Sequence, residues 1–102
     1  MKEIVDVITA SEEGHELIVF EQPHSRAGKI LILQLVDPNG DLVSEIRSVD
    51  MLFIMEVMRK IFEEYGNSEE LERINFAISE ILEVYNKNGI KKTAIWSHSF
   101  VH

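Results

Sequence analysis

The stretch His24-Ser-Arg-Ala-Gly-Lys29 holds the residues best suited to chemistry. Arg26 offers a planar fork for a phosphate or carboxylate, Lys29 a compact positive charge and Ser25 a hydroxyl. Between the cations, Ala27 and Gly28 are small enough for backbone N–H groups to approach an anion. His24 would add a donor, and Trp96 could stack on a base. The expected ligand site is therefore His24, Ser25, Arg26, Gly28, Lys29 and Trp96, facing a small anion such as a nucleotide. A solvated hairpin loop explains the same cations more simply, because they match no phosphate-binding motif.

His98 and His102 have the four-residue spacing that suits a metal on a helix. Their surroundings alternate as a strand does, which would hold them about 13 Å apart. No metal site is expected from them. Trp96 and Phe100 fit core or subunit-interface packing better than a ligand pocket. Met51, Met55 and Met58 share one helix face, and core packing accounts for them before an adaptable binding surface does. Glu56, Glu63, Glu64, Glu69, Glu70, Glu72, Glu80 and Glu83 read as solvated helix faces, with imitation of nucleic acid as the sharper reading. The chain has no Gly-rich phosphate loop, dinucleotide fingerprint, nucleophile elbow or zinc-protease helix motif. It nominates no catalytic residue and no cofactor.

Elements that would position these groups follow from pattern. The 102 residues make one expected domain, and 45% hydrophobic content is enough to fold it. Lys29–Val36 and Leu42–Arg47 flank Asp-Pro-Asn-Gly-Asp, a hairpin in which Pro38 sets a type I turn and Gly40 takes the left-handed conformation. If Asp37 pairs with Asp41, Val36 faces Leu42, Leu35 meets Val43, and Ile32 lies opposite Ile46. Ile30, Ile32 and Val36 then share one face and Leu31, Leu33 and Leu35 the other, so both faces of this strand need cover. Ile4–Thr9 and Leu17–Phe20 read as two earlier strands, and Gln22–Gly28 as a loop broken by Pro23.

Ser48 or Asp50 can cap a helix running to about Tyr65 and stopped by Gly66. Met51, Ile54, Met55, Met58, Ile61, Phe62 and Tyr65 form its apolar stripe, widened by Leu52, Phe53 and Val57. A second helix starts after Asn67-Ser68 and ends at Asn88-Gly89, with Leu71, Ile74, Ala77, Ile78, Ile81, Leu82 and Tyr85 facing the core. Residues 91–102 alternate as a fifth strand. The expected fold is α+β: an antiparallel four-stranded β-meander, a helical hairpin and a C-terminal fifth strand.

Charge and composition bound the function. Eighteen acidic and 10 basic residues give a net charge of −8, which disfavours direct binding to nucleic acid or an anionic membrane. With no cysteine, disulfides and thiolate chemistry are excluded, and a reducing cytoplasm suits the chain. Lys2, Glu3 and Asp6 break any secretory h-region, and the longest apolar run, Met51–Met55, cannot span a bilayer. The surplus apolar surface predicts a homodimer. The expected function is a small, acidic, non-enzymatic protein that acts by protein–protein contact as an adaptor or inhibitor. A binder of a small anionic ligand and a nucleic-acid mimic are the alternatives.

Overall fold

The computed structural model describes residues 2–26 and 28–87. They form four strands and two helices: β1 (Glu3–Thr9), β2 (Glu16–His24), β3 (Gly28–Val36), β4 (Leu42–Ser48), α1 (Met51–Tyr65) and α2 (Ser68–Lys87). The sheet is an antiparallel meander in the order β1-β2-β3-β4. This is the expected α+β arrangement through the helical hairpin. The fifth strand lies outside the described residues.

The β3–β4 turn forms as its residues dictate. Asp37 Oδ1 accepts from the N–H groups of Asn39 and Asp41, both at 2.9 Å, and Gly40 takes φ 87°. That is how a short polar side chain and a residue without Cβ close a three-residue loop. Val36 pairs with Leu42 as expected. Beyond that pair the expected register is off by one. A bulge leaves Val43 unpaired, so Leu35 faces Ser44, Leu33 faces Ile46, and Gln34 faces Glu45. The shift carries Ile46 to the face of Leu31, Leu33 and Leu35, where it packs on the core. It also sets Gln34 Nε2 2.7 Å from Glu45 Oε1. That bond, and next the one from Arg47, hold the Glu45 carboxyl below its usual range.

A second correction concerns the loop expected over Gln22–Gly28. Gln22, Pro23 and His24 continue β2, with Pro23 opposite Lys29. Proline is tolerated here because β1 begins at Glu3, opposite Glu21, so no β1 ladder bond is lost beyond that point. A second bulge, at Val5, interrupts the β1–β2 pairing.

Both faces of β3 are apolar, as read. Leu33 and Leu35 join Leu17, Leu52, Ile54, Met58, Phe62, Ile74 and Ile78 in one core beneath the helices. The opposite face holds Ile18, Phe20, Ile30, Val36 and a fully buried Ile32. It carries no part of that core, and Lys2 Nζ sits 4.5 Å above the Phe20 ring there.

Asp50 caps α1: its Oδ1 accepts from the N–H groups of Leu52 (3.0 Å) and Phe53 (3.2 Å). Removing that acceptor orphans two donors at the helix start. Asp50→Ala should lower stability by about 1 kcal/mol in urea unfolding, and Asp50→Ser should recover most of it. Gly66 ends α1 in the left-handed conformation at φ 70°. Asn67 then links three elements. Its Oδ1 accepts from Glu70 N–H at 3.1 Å, and its Nδ2 donates to Thr9 O at 2.9 Å. The α1–α2 link is thereby fixed to the end of β1.

Candidate functional site

The predicted anion loop is largely a strand-to-strand turn. His24 closes β2, Ser25 and Arg26 lie exposed in the turn, and Gly28 opens β3 at φ 84°. The Arg26 backbone N–H donates to His24 Nδ1 at 3.2 Å. Lys29 Nζ donates to Glu21 Oε2 at 2.8 Å, and this hydrogen bond and the charge of Glu21 raise the Lys29 pKa. The shallow pocket beside it is lined by Glu3, Glu21, Gln22, Pro23, Gly28 and Lys29, with a volume of about 280 Å³. Two carboxylates with one paired ammonium are a poor setting for an anion. Trp96, the expected stacking partner, lies outside the described residues, as do His98 and His102.

A second polar site sits at the β1–β2 turn. Ser11, 5% exposed, has its Oγ 2.7 Å from His15 Nδ1 and accepts from the His15 backbone N–H at 3.1 Å. The His15 ring stacks on Tyr65 with centroids 4.5 Å apart. A hydroxyl beside an imidazole is the start of a nucleophilic pair, but such a pair also needs a group to orient the base. Here the two bonds fold the Ser11–His15 turn onto itself, and the stacked ring fastens the turn to the end of α1. Among the described residues no His, Asp and Glu cluster could hold a metal ion.

The site that stands out is apolar. Met51 at the start of α1 and Ala77, Glu80, Ile81, Val84 and Tyr85 along α2 line a groove of about 560 Å³. It exists because α2 returns antiparallel to α1 and brings its last two turns beside the first turn of α1. Met51 is 51% and Val84 52% exposed. Met51 therefore leaves the core stripe in which the sequence placed it, while Met58 stays buried. One turn nearer the start of α2 stands Phe76, 65% exposed among Glu69, Glu72 and Arg73. Sequence reasoning passed over Phe76. The available signal was a lone aromatic on the polar side of an otherwise amphipathic helix.

Glu56 is the clearest error in the acidic-face reading. It is 6% exposed, and its carboxylate pairs with Arg59 Nη2 at 2.6 Å. Glu56 stands one turn after the fully buried Leu52, on the same side of α1, so it is taken inside with that residue. The Arg59 Nε is buried with no hydrogen-bond partner.

No protein-family model, no curated protein and no solved structure matches this chain. Among the described residues, no helix is long and apolar enough to cross a membrane. The functional reading rests on the site itself.

Proposed function

We propose that this chain is a small regulatory protein that acts by protein–protein contact and pairs with a second copy of itself. The groove between the start of α1 and the end of α2 carries this reading. It is mainly apolar, its rim includes Glu80, and it lies on a chain of net charge −8. Covering apolar surface contributes about 25 cal/mol per Å². The like charge of two such chains opposes random sticking, so only a surface that meets the groove in register gains from contact.

Native mass spectrometry of the full chain tests the reading, because it reports subunit number and retained ligand together. The expected result is twice the chain mass with no small-molecule adduct. A monomer at every concentration would overturn the dimer. A bound anion of a few hundred daltons, lost in Arg26→Ala, would replace this reading with the ligand-binding one.

A further inference from the structure

We infer that the second copy docks through α2, antiparallel and two-fold symmetric, with Phe76 of each chain seated in the groove of the other. The inference rests on the dimer reading and names its surface. At 100° per residue, Glu69, Arg73, Phe76, Ala77, Glu80, Val84 and Lys87 fall within one arc of about 100° on the flank of α2. All of them except Ala77 are exposed.

The order of charges along this arc is self-complementary in one direction. Its first half carries Glu69 and then Arg73, and its second half Glu80 and then Lys87. Two parallel copies would set like against like. Antiparallel copies related by a two-fold at the level of residue 78 set Glu69 opposite the partner's Lys87 and bring Arg73 toward the partner's Glu80. The same register brings Phe76 level with the partner's Glu80 on the rim of the groove, from which its ring can turn toward the partner's Ala77 and the partner's Val84. An isologous contact repeats each of these interactions twice, and it closes at two subunits.

Within one chain these charges are loosely held. Arg73 reaches Glu69 at 3.3 Å and Glu70 at 3.1 Å, and Lys87 reaches Glu83 at 3.9 Å, with the Arg73 and Lys87 side chains 69% and 76% exposed. Exposed pairs of this kind contribute little to folding. They can be re-partnered across an interface at small cost. Phe76 gains most, because a large aromatic side chain leaves water for an apolar groove.

Sedimentation equilibrium on the full chain and its variants tests the arrangement. Phe76→Glu should give a monomer with an unchanged far-UV spectrum, since the side chain supports no core residue, and a thermal midpoint that no longer rises with protein concentration. Glu69→Lys and Lys87→Glu should each weaken the dimer roughly tenfold, and the double variant should return within about twofold of the parent. Residues 69 and 87 lie about 27 Å apart along one helix, so that recovery can arise only between chains. A dimer that survives Phe76→Glu, or a double variant no tighter than the singles, overturns this surface while leaving the dimer itself intact. A wild-type monomer overturns both.

Discussion

Phe62→Ala is expected to cost about 3–5 kcal/mol, read as a lower urea midpoint with an unchanged slope. Phe62 is 1% exposed and is among the largest fully buried side chains. It stands near the end of α1, within the core that joins both helices to β2 and β3. Truncation to Cβ removes the ring from water-free packing and leaves a void that neighbours on two helices and a sheet can only partly fill. A small domain has about 5–15 kcal/mol of stability in total, so this one change would leave little of it. Phe62→Leu should cost about 1–1.5 kcal/mol, because most of the volume is kept. If the alanine variant unfolded within about 1 kcal/mol of the parent, Phe62 would not lie at the centre of the core.

The second large effect is an asymmetry between Glu56 and Arg59. Arg59→Ala strands a carboxylate whose side chain is 8% exposed, whereas Glu56→Ala leaves an arginine whose side chain is 36% exposed and so partly in contact with water. The first should cost about 2–3 kcal/mol and the second about 1 kcal/mol, since an unpaired buried charge carries the larger penalty. Replacing both residues with methionine should be near neutral, since it also removes the Arg59 Nε that has no partner. Equal costs for the two single variants would show that the pair is hydrated.

Much of this fold was legible in the sequence because it is written in local chemistry. Asp37, Pro38 and Gly40 fix a turn whatever surrounds them, and Asp50, Gly66 and Asn67 mark helix ends by hydrogen bonds within a few residues. The four strands and both helices follow. What was not legible depends on neighbours distant in sequence. Val43 bulges although nothing about a valine signals it, and one extra residue moved each later pair of the hairpin. Pro23 looked like a loop residue because the length of β1, which decides whether proline is tolerated, is set elsewhere.

The functional groups divide in the same way. The cations of the 24–29 stretch drew attention through their types, yet Glu21, three residues before His24, engages Lys29 across the strand pair. The groove and Phe76 carry no motif. Their meaning comes from the packing of α2 against α1, which exposes Met51 and Val84 rather than burying them. Glu56 reads as solvent-facing by type and is buried by position.

The unpaired Val5 and Val43 bear on what crowding would do to this molecule. Among the described residues, β1 and β4 are the outer strands, and each is interrupted by its bulge. A flat run of free N–H and C=O groups is a template on which further chains can stack into fibrils. Each bulge twists that template and breaks its spacing, so an incoming strand loses its ladder within a few residues. The sheet thus acts as a terminated polymer, and its valine bulges are the chain stoppers.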